Sequence, residues 1–154
     1  MNKHFTPYKT ESVYKENNIK FFFESIGKTK IIKTIEYSSF RIFDGKRVFN
    51  LGFGDYDAVA VDISDDVNSN NDDMYKVFYT VLSSVPLFFK QNPNDAIWVQ
   101  GSDSSENFIN NCKPNCKKKC KQEECKNINR RIKTYRSFVN RNFEDLSKDY
   151  IFFG

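Results

Sequence analysis

The first half of the chain reads as strands and the stretch after it as helix. Ile19–Ile26 and Lys30–Ile42 are rich in Phe, Ile, Tyr and Thr, with Gly27-Lys28-Thr29 between them, the pattern of a β-hairpin. Asp44-Gly45-Lys46 is a second turn signal, after which Arg47–Phe53 and Tyr56–Ile63 continue the β pattern across Gly52 and Gly54. Those two glycines are expected to serve a bulge or turn, and an antiparallel meander is the simplest assembly.

The spacing then changes. Met74, Val77, Phe78, Val81, Leu82 and Val85 recur at three- and four-residue steps, which predicts one apolar face on a helix from about Asp73 toward Lys90. Asn70, Asn71, Asp72 and Asp73 stand where side-chain oxygens can accept from the free N–H groups of a first turn. Pro86 is expected to kink that helix or leave its last turns irregular, because it removes a donor and clashes with the preceding turn. Ala96-Ile97-Trp98-Val99 reads as a short buried strand closed by Gly101-Ser102. Helical spacing returns through Ile128, Ile132, Tyr135, Val139, Phe143, Leu146 and Tyr150, and Ile151-Phe152-Phe153 is expected to add a final strand. The expected fold is α+β, an antiparallel sheet with two main helices in the order β-β-β-β-α-β-α-β. It forms one domain over 1–154, interrupted by an insertion at 103–127.

That insertion changes the picture most. Cys112 to Cys125 reads C-K-P-N-C-K-K-K-C-K-Q-E-E-C and holds all four cysteines. Between Cys112 and Arg141 eleven basic residues stand against two acids, a local +9 that leaves −5 for the rest of a chain of net +4. A charge dipole of this kind points to a polyanion or an acidic protein surface at the basic end. Lys117, Lys118, Lys119, Lys121, Arg130, Arg131 and Lys133 are the candidate nucleic-acid contacts, with lysine and arginine neutralising phosphates. Tyr135 falls on the apolar seam and is expected in the core rather than stacked on a base. Charge without a base-reading element predicts salt-sensitive, sequence-tolerant binding.

Four thiolates within fourteen residues meet the count of a tetrahedral zinc site, making Cys112, Cys116, Cys120 and Cys125 candidate ligands. Their C-x3-C-x3-C-x4-C spacing lacks the C-x2-C step of common zinc sites, so free thiols and disulfide or redox use stay open beside zinc. No apolar run approaches the roughly 18 residues of a membrane span. The start, Met1 to Pro7, has no hydrophobic stretch of the secretory kind. The expectation is a cytoplasmic protein with no membrane partner.

Leu51-Gly52-Phe53-Gly54-Asp55-Tyr56-Asp57, Asp65-Asp66, Ser69-Asn70-Asn71-Asp72-Asp73, Lys76-Val77 and Thr80-Val81 resemble, in order and spacing, the signature of a family of small bacterial proteins, domain of unknown function 6934. Pro93, Gly101-Ser102 and Arg131-Ile132-Lys133-Thr134-Tyr135 resemble its later part more loosely. Asp72 stands where the family has Gly, Ala60-Val61 where it has Thr-Gly, and the cysteine insertion separates Ser102 from Arg131. The resemblance implies a shared fold and a candidate surface, and no reaction.

Three functions fit these residues. The first is a non-enzymatic binding protein whose basic, zinc-ordered insertion docks an anionic partner, nucleic acid first. The second is a metal-dependent nuclease-like enzyme or toxin using the acids between Asp55 and Asp73, since converging carboxylates can hold Mg²⁺. The third is an interaction protein of a phage or other mobile element. Histidine catalysis has little to draw on, because His4 is the one histidine. Neither G-x-x-x-x-G-K-[ST] nor G-x-G-x-x-G occurs in the chain.

Overall fold

The computed structural model describes residues 6–57, 62–64, 73–100, 110, 114 and 130–152, which fall into two compact units divided between Val99 and Gln100. The chain is α+β. In the first unit β1 (Glu11–Lys15), β2 (Asn18–Ile26), β3 (Lys30–Phe43), β4 (Lys46–Asp57) and β5 (Asp62–Ser64) precede helix α1 (Met74–Gln91) and strand β6 (Ala96–Val99). The second unit holds α2 (Arg130–Arg141) and the single turn α3 (Phe143–Leu146).

The strands form one sheet in the order β1-β2-β3-β4-β5, each pair antiparallel, and β6 joins β4. That last pair is parallel, Val48↔Ala96 to Leu51↔Val99. It departs from the all-antiparallel expectation because α1 carries the chain back before β6 begins, the crossover that parallel neighbours require. The outer edge of β4 is therefore shared. β6 occupies it from Val48 to Leu51 and β5 from Asp55 to Asp57.

Strand alternation builds the core. Ile19, Phe21 and Phe23 of β2, Ile35 and Tyr37 of β3, and Phe49 and Leu51 of β4 point to one face, where Val77, Val81 and Phe88 of α1 cover them. The buried stripe of α1 is Val77, Thr80, Val81, Ser84 and Phe88. It is rotated from the stripe expected from hydrophobicity, and Met74 is exposed. Two hydroxyls make the rotation tolerable, since each buried oxygen finds a partner. Ser84 Oγ donates to Val81 O and lies 2.6 Å from Tyr37 Oη, while Thr80 Oγ1 donates to Lys76 O at 2.8 Å.

Pro86 does not end α1, which continues to Gln91. Burial of Phe88, fully enclosed and stacked on Tyr37 at 4.6 Å between ring centroids, holds the last turn against the missing donor.

Gly52 and Gly54 interrupt nothing either: β4 runs through both. They lie on the face away from α1, and Gly54 is in register with Thr34 and, through it, Phe22. The rings of Phe22 and Tyr56 meet there edge to face at 5.5 Å, across a row in which Gly54 adds no side chain. The irregularity sits instead in β3, where the register shifts between Ser39 and Arg41. The β3–β4 turn is made by Asp44 and Gly45, with φ of 50° and 72°, the left-handed pair that a two-residue hairpin demands.

The second long helix ends earlier than its apolar spacing predicts. Asn142 leaves helical geometry, and its Nδ2 donates to Phe138 O at 2.8 Å while its backbone N–H reaches Phe138 O and Val139 O. A side-chain amide competing for the last carbonyls divides the segment into α2 and α3. Ile151 and Phe152 lie in no strand. The ring of Phe152 packs instead on Phe143 of α3, 5.6 Å between centroids. No helix among the described residues is long and apolar enough to cross a membrane.

Candidate functional site

Two regions carry the candidate side chains, and each belongs to its own unit. In the second, the spacing of α2 sorts its residues by face. Ile132, Tyr135, Phe138 and Val139 are half-buried, while Lys133, Arg136, Asn140 and Arg141 are exposed. Tyr135 thus sits on the apolar seam, as its position predicts. Arg130 and Arg131 are backbone members of the first helical turn. Lys117, Lys118, Lys119, Lys121 and the four cysteines lie outside the described residues, and the zinc reading lies there with them.

In the first unit a polar cluster closes one end of the sheet–helix core. Lys33 and Asp55 are register partners on β3 and β4, and both point to the helix-covered face. The ammonium of Lys33 meets Asp55 Oδ1 at 2.5 Å, with the two side chains 7% and 18% exposed. Ser25 is also on this face and fully buried. Its hydroxyl donates to Asp73 Oδ2.

Asp73 stands at the N-cap of α1 but does not cap it by its side chain. Its carboxylate instead accepts from Ser25 and from Tyr8 Oη, the latter at 2.7 Å. The expected capping role of this residue is therefore replaced by a tertiary one, its Oδ2 being taken up by the hydroxyls of Ser25 and Tyr8.

Tyr8 is the hub. Besides donating to Asp73, its hydroxyl accepts from Ile26 N at 3.0 Å, and its own backbone N–H donates to Thr80 Oγ1 at 2.9 Å. Its ring stacks on Phe23 at 5.5 Å, and Lys76 Nζ lies 4.2 Å from the ring centroid, a cation–π contact. Five short interactions thus fasten the segment before β1 to β2 and α1. Tyr8, Ser25 and Lys33 carry no local sequence signal. The one trace of the pair is a lysine interrupting an apolar alternation, in register with the acid of Phe53-Gly54-Asp55.

Burial raises the pKa of Tyr8 above its ordinary 10.0, and donation to Asp73 raises it further. The folded state therefore keeps the phenolic proton at pH values where the unfolded chain has lost it, and stability falls as pH climbs above about 10. Denaturation midpoints measured from pH 8 upward should show this alkaline loss in the natural chain and a smaller one in Tyr8→Phe. The remainder in that variant belongs in part to Tyr150, raised by its own burial and then by Asp149.

Among the described residues, the acids between Asp55 and Asp73 form no group that could hold a metal ion. Asp55 is committed to Lys33, and Asp73 to Tyr8 and Ser25. Asp57 and Asp62 are register partners across β4 and β5. Asp65, Asp66 and Asp72 fall outside the described residues.

A protein-family model described as a family of unknown function (DUF6934) matches residues 4–109. The match takes in the whole Tyr8–Asp73 cluster and stops before Cys112. No curated protein and no solved structure matches the chain.

Proposed function

Because the chain belongs to the family of unknown function DUF6934, whose description assigns no reaction, we propose from its own residues that it is a non-enzymatic binding protein whose basic segment docks an anionic partner, nucleic acid foremost. The observation that carries this reading is the concentration of charge. The +9 between Cys112 and Arg141 includes a helix whose exposed face presents Lys133, Arg136 and Arg141. Phosphates neutralised by such side chains release condensed counterions, so binding is driven by charge and tolerant of sequence. The four cysteines of the same segment supply the thiolates of one zinc, which would order a stretch with almost no apolar residues of its own.

The nuclease reading draws on the acids of the Asp55–Asp73 region, of which Asp55 and Asp73 have partners that already account for their positions. The family match stops short of the basic segment, so docking through it is a property proposed for this chain and not for the family.

The test is titration of a labelled oligonucleotide, single-stranded and duplex, at several salt concentrations. If about five phosphates are neutralised, affinity should fall by two to three orders of magnitude between roughly 50 and 200 mM salt. Lys133→Ala with Arg136→Ala should lower the log–log slope by about two. Absence of binding at low salt, or binding indifferent to salt, would defeat the proposal. Native mass spectrometry of the same sample should show one zinc per chain that is lost on denaturation.

A further inference from the structure

The sheet ends on β1, a five-residue strand of which every residue is exposed, including Val13 at 48% and Tyr14 at 46%. One edge of β1 pairs with β2 from Glu11↔Phe22 to Lys15↔Asn18. Among the described residues it is the terminal strand on that side of the sheet, so alternate N–H and C=O groups of its other edge point outward. An edge of this kind is a template for another strand unless its side chains discourage one.

The order of those side chains is selective. Glu11, Val13 and Lys15 share the face opposite α1, because their register partners Phe22, Lys20 and Asn18 alternate with the core residues Phe21 and Ile19. A second copy of the strand laid antiparallel about a two-fold axis at Val13 places Glu11 opposite Lys15, Lys15 opposite Glu11, Val13 opposite Val13, and Ser12 opposite Tyr14. Both charged pairs are then attractive and lie on one face. Slipping the register by two residues loses both charge pairings, and a parallel partner strand in register sets Glu11 beside Glu11 and Lys15 beside Lys15. The pattern accepts its own copy in one register.

We propose that β1 is a homodimerisation edge: two copies of this chain join antiparallel through Glu11–Lys15, making one continuous sheet across an isologous interface. The contact is short and falls below the area of a permanent interface, so the dimer is reversible and depends on concentration. This inference stands whether or not the basic segment binds nucleic acid.

Sedimentation equilibrium of the full chain, over about a hundredfold range of concentration, reads the association directly. Glu11→Lys alone and Lys15→Glu alone each set two like-charged pairs across the axis and should weaken it about tenfold or more. Mixing the two variants restores opposite charges at both positions, and their mixture should associate as the natural chain does, as should the double variant carrying both exchanges. Circular dichroism of each variant confirms that these exposed substitutions leave the fold intact. A chain that stays monomeric throughout, a dimer indifferent to either single exchange, or single exchanges whose mixture fails to associate would each overturn the proposal.

Discussion

Asp55→Ala is expected to cost about 3–5 kcal/mol of folding stability, more than any change at the exposed acids. The Lys33 ammonium is buried and in direct contact with the Asp55 carboxylate from the adjacent strand. Removing the anion takes this contacting counter-charge from a cation in a region of low dielectric, so that its desolvation is less well offset. Replacing both partners by apolar residues of similar size, as in Lys33→Met with Asp55→Leu, removes the charge along with its counter-charge and should recover most of the loss. Urea unfolding of the two single variants and the double yields the coupling between them. A small effect of Asp55→Ala would mean that the residue is retained for something other than the fold, and would return it to the candidates for chemistry. A large coupling with unchanged oligonucleotide affinity would make Asp55 a structural residue.

Phe88→Ala should cost about 3–5 kcal/mol. Its ring is completely enclosed, stacked on Tyr37 and set edge-on against Phe49 at 5.0 Å and Phe89 at 5.2 Å. Truncation both loses transfer energy and opens a cavity beneath α1. There is a second contribution at this position. Phe88 follows Pro86 by two residues, and its burial is what carries the helix past the missing donor, so the variant should also fray from Pro86 to Gln91. Amide exchange of residues 87–91 should rise in Phe88→Ala well beyond its rise in Phe89→Ala. Equal protection in the two variants would show that the last turn does not depend on the Phe88 ring.

How much of this the chain discloses in advance depends on what a residue faces. β2, β3 and β6 are readable because one side of each meets apolar neighbours and the alternation follows. β1 is not, since all five of its residues face solvent and its pairing is held by backbone bonds. Thr80 and Ser84 mislead a count of apolar positions on α1, because their hydroxyls bond within the helix or to Tyr37 and so enter the core at little cost. Gly52 and Gly54 resemble breakers until their row across the sheet is known. The local effect of Asn142 outweighs the apolar spacing around it.

The candidate site divides along the same line. Charge can be summed residue by residue, so the basic segment is visible from composition. The cluster around Tyr8 joins residues up to 72 positions apart through single hydrogen bonds, and no periodicity encodes such a meeting. The signature residues Asp55, Asp73, Lys76 and Thr80 all lie in it or on its margin. Their spacing in the chain is the projection of a three-dimensional junction.

The divided outer edge of β4 limits how far strand pairing can spread. Once β1 is engaged, the opposite border of each sheet offers, among the described residues, β6, four residues running parallel to β4, and β5, three residues running against it. A strand arriving there would meet two short stretches of opposite direction with Gly52, Phe53 and Gly54 between them, and could follow neither for long. Among the described residues, growth by addition of further copies lacks a template at that border, so the association proposed through β1 would stop at two chains and not extend into a fibre.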